Sequence, residues 1–213
     1  MDNKVSLAFN SSHAHNMKKP FAEVIESSLQ GWLSQCWRWN DFPAFGSLAM
    51  VETKKRKLFG IVHQIQTGSM EPMRHPFPYQ KTEEELLREQ PQIFEFLKTT
   101  FSCLALGYYE KGKITYLLAP EPPQIHSFVS IADKELSAQF FSNVQHLHLI
   151  FNAANQLFNV EELLLAMLKF QAELGMMSKE KLTQFIESFS LLTGNDYRRL
   201  KLFLQRVERN INF

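Results

Sequence analysis

The chain has 213 residues, of which 45% are hydrophobic and 21% charged, and its formal net charge is +1. That composition fits a globular protein with one sizeable core, or one small domain plus a helical appendage, and it excludes a global electrostatic drive toward nucleic acid or anionic membrane. Two distant cysteines, Cys36 and Cys103, exclude a disulfide-dense secreted scaffold, and no apolar run approaches the roughly 20 residues that cross a bilayer.

Both thiols are expected to be buried and reduced, and the expected compartment is the cytoplasm. Nineteen phenylalanines imply an aromatic-packed core, or apolar surface reserved for a partner. Residues 1–19 are polar, without the apolar stretch of a secretory signal. They read as an N-terminal arm with a possible short strand at 5–9.

From Phe21 the pattern turns β-like. Phe21, Val24, Ile25 and Leu29 mix with Glu23, Glu26, Ser27 and Ser28. Residues 31–39 place aromatics at alternate positions, the pattern of a half-buried strand. Asn40, Asp41 and Pro43 punctuate that run. Two β-rich runs, 47–53 and 58–66, then flank Lys54, Lys55, Arg56 and Lys57. They read as a hairpin with a charged tip in the middle of a small barrel. Gly46 and Gly60 mark places where strands bend or backbones approach closely.

Residues 68–79 form a proline-rich loop. Thr82 and Glu85 have capping-box spacing at the start of a helix, with Glu83 and Glu84 favourable at its positive end. Pro91 opens a second helical segment with Ile93, Phe94 and Leu97 on its apolar stripe. Strands return at 101–109 and 113–118, joined by a turn with positive φ at Gly112. Pro120, Pro122 and Pro123 end the β-rich half.

Beyond about residue 130 the chain reads as mostly helical, and 144–153 reads either way. Asn159 caps a helix whose apolar face, Val160, Leu163, Leu164, Met167 and Leu174, is widened by Leu165 and Leu168. That helix is expected to be contacted from two sides. Gly175 ends it and Ser178 caps the next, striped with Leu182, Phe185, Ile186, Phe189 and Leu192. Gly194 and Asn195 precede the last helix, striped with Tyr197, Leu200, Phe203, Leu204, Val207 and Ile211.

The run from Gly107 to Lys113 has the spacing of a phosphate-binding loop up to its lysine. The next residue must carry a hydroxyl for the metal ion, and a helix must follow. Here Ile114 comes next and a strand continues, so the segment reads as a hairpin with no nucleotide site. His13 with His15, and His146 with His148, could each place two imidazoles on one side of a strand. His63, His75 or His126 would supply a third ligand. None of the spacings that mark zinc sites is present, and no metal site is expected.

There is no Gly-x-Ser-x-Gly elbow, and both cysteines sit in apolar surroundings that leave them inert. Glu83, Glu84 and Glu85 could act as a base cluster or simply support the helix start. The two basic clusters are Lys54, Lys55, Arg56 and Lys57 at the tip, and Arg198, Arg199, Lys201, Arg206 and Arg209 in the last helix. Each is a candidate contact for nucleic acid or a partner, or else an ordinary solvated feature.

The β-rich part resembles the HerA–ATP synthase (HAS) barrel family, in stand-alone bacterial versions of unknown function. The residues that carry the likeness run from Pro20 to Ser28, Pro43 to Ser47 and Leu58 to Val62, with Arg88 to Phe94 and Pro122 to His126 further on. The resemblance covers about residues 20–129. It implies a closed or nearly closed barrel that mediates subunit or partner contacts. The ATPase domain that follows such barrels in motor proteins is not matched here, so no catalytic residue carries over.

The expected fold class is α+β. An N-terminal arm (1–19) precedes a small β-barrel (20–130) with an inserted helical segment near 82–99, and a helical C-terminal domain (131–213) follows. The expected function is a non-catalytic interaction or assembly module, with self-association or a protein partner. The alternative is a nucleic-acid-associated accessory protein using 54–57 and 198–209. A third reading is an enzyme with His126, His63 and Arg88 converging between barrel and helices. No cofactor and no small-molecule substrate are implied.

Overall fold

The structure, a computed structural model, describes residues 19–71, 73 and 76–211. Its strands are β1 (Ala22–Ser27), β2 (Gly31–Cys36), β3 (Leu48–Glu52), β4 (Lys57–Ser69), β5 (Leu97–Glu110), β6 (Lys113–Thr115) and β7 (Phe128–Ile131). Its α-helices are α1 (Glu83–Glu89), α2 (Lys134–Phe140), α3 (His146–Asn152), α4 (Val160–Glu173), α5 (Lys179–Leu192) and α6 (Tyr197–Asn210). The fold is α+β. The expected strand at 5–9, and His13, His15 and His75, lie outside the described residues.

Six strands close a barrel in the order β1, β7, β3, β4, β5, β2 and back to β1, with every pair antiparallel. Closure removes the exposed edges that an open sheet would leave. Alternation along the strands fills the interior. Trp32, Ser34 and Cys36 point inward from β2, and Ala49 and Val51 from β3. Leu58, Val62, Phe101, Cys103 and Val129 complete the same cluster.

The buried run from Leu58 to Val62 looks too apolar for a barrel strand with one wet face. Both of its faces are covered. Leu58 and Val62 belong to the interior, whereas Phe59 and Ile61 join Leu48, Leu104 and Leu106 under the helices. A strand buried on both faces reads as a continuous hydrophobic run. The helices thus share their core with the outside of the barrel. Phe59 lies 5.1 Å from Phe140 of α2, and Phe189 of α5 stacks on Phe203 of α6 at 4.6 Å.

Helix α4 is the central piece of that layer. Val160, Leu163, Leu164, Leu165, Met167 and Leu168 are all buried, because it meets the barrel on one side and α6 on the other. On the barrel side Gly46, at φ +81°, presses on it, and a Cβ there would lie 2.7 Å from that of Ala166. The two-sided contact expected from the sequence is therefore met within the chain, and this width gives no sign of a missing partner.

Several expectations are corrected. β2 stops at Cys36, so Trp37 and Trp39 leave the strand. β4 continues to Ser69, and β5 begins at Leu97, which the sequence had placed on a helical stripe. The second helical segment is a 3-10 turn, Pro91–Phe96. β6 ends at Thr115, not residue 118. β7 was not expected at all, since four residues behind a proline-rich loop are too short for a period to emerge. The ambiguous segment at 144–153 is helical, with His146, Leu147 and Ile150 buried. Tyr197 leaves the apolar stripe of α6, being about 80° around the helix from the buried Val207.

Candidate functional site

β4 and β5 pair from Lys57↔Tyr109 to Ser69↔Leu97, but β2 accompanies β5 only between Thr100 and Leu104. The ribbon therefore runs past the barrel wall at 67–69 and 97–99. It carries an arm, described at residues 70, 71, 73 and 76–96, that includes α1 and the 3-10 turn. The capping box expected at Thr82 forms, with the Thr82 hydroxyl accepting from Glu85 N–H and the Glu85 carboxylate accepting from Thr82 N–H. One stacking contact, Trp39 on Phe94 at 5.4 Å, fastens the arm to the barrel.

Nothing in α1 or the 3-10 turn is buried. Instead the arm shows Met70, Phe77, Leu87 and Phe96 to solvent, and Met73 is 96% exposed. An amphipathic helix ordinarily hides its apolar side chains against a core. Here they are displayed.

The basic tip between β3 and β4 is not the free loop that its composition suggests. Thr53 N–H donates to the Arg56 carbonyl, closing the turn. Arg56 has an 11% exposed side chain, pairs with Glu110 at 3.3 Å and lies over the Tyr108 ring at 5.3 Å. Lys55 pairs with Glu121 at 3.7 Å and Lys57 with Glu52 at 3.9 Å. Lys54 makes no ion pair among the described residues. A hollow of about 320 Å³ opens beside the tip, lined by Lys54, Lys55 and Arg56 and by Glu52 and Glu121.

The second basic cluster is split. Arg199 and Arg206 reach across to Glu161 and Glu162 in the first turn of α4. Arg198, Lys201 and Arg209 point to the opposite, exposed side of α6 and make no ion pair among the described residues. Leu202, exposed itself, stands among them.

A third exposed group lies on the barrel wall. Trp37 and Phe128 meet edge to face at 5.3 Å. The Trp37 indole donates to Glu23 at 3.0 Å, and the His126 ring lies 3.2 Å from the other Glu23 oxygen. His126 has φ +66°. Sequence reasoning missed this group, because its members come from β1, the turn just after β2, and β7 with its preceding loop.

The other chemical candidates separate. His126 sits beside Glu23, Arg88 pairs with Glu89 on the arm, and His63 occupies a bulge in β4 between Val62 and Gln64. The structure does not bring the three together. His146 and His148 lie two apart on a helix, not a strand, so one is buried and the other exposed. His146 is boxed by Phe140, Phe141 and Tyr116, and burial lowers its pKa to about 4.

No group of three or more metal-ligating side chains forms among the described residues. The run from Gly107 to Lys113 is the expected hairpin, with Glu110 paired to Lys113. Cys36 and Cys103 are free and buried, as expected. No helix among the described residues is long and apolar enough to cross a membrane. Comparison with protein-family models gave no match, and comparison with curated proteins gave none either.

Proposed function

We propose that the chain is a non-catalytic interaction or assembly module in which the closed barrel is the scaffold and the arm is the contact surface. The observation that carries this reading is that the arm buries none of its helical residues yet displays a run of large apolar side chains. Contiguous exposed apolar surface on a folded protein marks an interaction site, and methionine and phenylalanine are effective anchors there. The resemblance of the barrel to HAS barrels, which dock subunits and partners, supports the same reading.

The test replaces Met73, Phe77 and Leu87 by serine. The triple variant keeps the melting temperature of the parent, because these residues contribute nothing to the core, and it loses the partner contacts that the parent makes. A parent chain that gives no cross-link from the arm and stays monomeric at high concentration overturns the proposal.

One observation favours a second reading, nucleic-acid association. Arg198, Lys201 and Arg209 form a basic stripe on α6 with no ion pair among the described residues, and phosphate backbones bind such stripes. On this reading binding weakens steeply with salt and is lost on charge reversal of the stripe. The tip at 54–57 contributes little, since three of its four cations are already paired.

A further inference from the structure

The arm and the outer face of α6 are complementary surfaces carried by one chain. On the arm, Glu83, Glu84 and Glu95 are exposed carboxylates with no ion pair among the described residues. Glu85 is taken by the capping box, and the arm's cations among the described residues, Lys81 and Arg88, are both held by Glu89. What the arm offers a partner is therefore acidic as well as apolar.

On α6, Arg199 and Arg206 are spent on α4, which leaves Arg198, Lys201 and Arg209. These three share one side of the helix, by the spacing of i, i+3 and i+11. Gln205 lies within the stripe and Glu208 at its edge. Leu202 sits one turn beyond Arg198 and is 57% exposed. This surface is basic and carries an apolar centre. Among the described residues neither surface is covered.

Resting on the reading of the chain as an interaction module, we infer that the arm's partner is a second copy of this chain. The acidic apolar arm of one copy docks on the basic outer face of α6 of another. Glu83, Glu84 and Glu95 meet Arg198, Lys201 and Arg209, and the arm's apolar side chains cover Leu202. The tip at 54–57 is a poorer acceptor because three of its four cations are already paired with carboxylates. The two surfaces differ, so the contact is heterologous. It closes as a dimer if two copies exchange arms, and extends into larger species if they do not.

Charge exchange tests this. The arm variant is Glu83→Lys, Glu84→Lys and Glu95→Lys; the helix variant is Arg198→Glu, Lys201→Glu and Arg209→Glu. Sedimentation of the full chain at low salt should show self-association that weakens with salt. Each variant alone should associate at least about tenfold more weakly, and an equimolar mixture should recover the parent's association. Loss in the arm variant without recovery could come from an unwound α1, so Phe77→Ser, which leaves the capping box intact, provides an independent loss.

A parent that stays monomeric, or association indifferent to both variants, overturns the inference. A photoreactive phenylalanine analogue in place of Phe77 separates this failure from failure of the module reading. Adducts of twice the chain mass support a second copy. Adducts with other proteins alone overturn the second copy and leave the module standing. Adducts with nucleic acid alone favour the basic-stripe reading and overturn both. No adduct at all, with a monomeric parent, also overturns both.

Discussion

Gly60 lies directly under the indole of Trp32, so close that a β-carbon at residue 60 would stand 2.5 Å from the ring. The contact is inside the barrel, and the same added carbon would also stand 3.0 Å from the Cys103 β-carbon. Gly60→Ala should cost about 1–3 kcal/mol, the usual range for overpacking a filled core. Gly68, on the same strand with nothing near its missing side chain, is the control, and Gly68→Ala should stay within about 0.5 kcal/mol. Urea denaturation of both variants checks the contrast.

Arg56 should behave as a buried structural residue. Arg56→Ala removes the Glu110 pair and the stacking on Tyr108, at a cost of about 1–3 kcal/mol. Lys54→Ala should change stability by no more than about 0.5 kcal/mol. Arg56→Lys should recover only part of the loss, because a point charge reproduces neither the planar stacking nor the fork. Denaturation midpoints in a common buffer rank the variants.

His146 sets an acid limit on stability. Its Nδ1–H donates to the Asn143 carbonyl at 2.9 Å, and its Nε2 is buried without a partner among the described residues. Burial lowers its folded pKa to about 4, against an ordinary value of 6.5. Between those values the unfolded chain binds the proton and the folded chain does not. Stability is therefore full above the unfolded pKa and declines as pH falls toward 4, by up to about 1.4 kcal/mol per pH unit. His146→Phe should flatten that decline. His63, lowered in the same direction by burial, contributes too, so His63→Gln is the companion variant. Thermal denaturation from neutral to mildly acid pH reads both.

The two cysteines should be silent until the chain unfolds. Burial pushes the Cys36 thiol up to about 12, with help from Asp41, and raises Cys103 as well. A thiol needs its thiolate form and access to react. Ellman's reagent should find no reactive thiol in the native protein at mildly alkaline pH, and both after denaturation.

The sequence shows elements that declare a period and hides features that depend on distant partners. Thr82 with Glu85, Asn159 and Ser178 announce their helix starts, and all three caps form. The glycines suspected of close approach, Gly46 and Gly60, are the ones packed against α4 and Trp32. The short β7 is invisible because Val129 is its only fully buried residue and its identity comes from pairing with β1 and β3. The basic clusters read as open patches because a run of cations carries no sign of the carboxylates, Glu110 or Glu161, that meet some of them across the fold. Nor does the composition of 70–96 reveal that Met70, Met73, Phe77, Leu87 and Phe96 stay outside.

The place of β7 in the wall has a consequence for how the protein is made. Val129 pairs with Ala22, more than a hundred residues earlier, and with Val51 on its other side. Until that strand is synthesised, β1 and β3 both emerge with an unpaired edge and the cylinder stays split. The gap closes only late, by a long-range step of the kind that slows folding and exposes strand edges meanwhile. Translation must therefore pass residue 131 before the wall can seal.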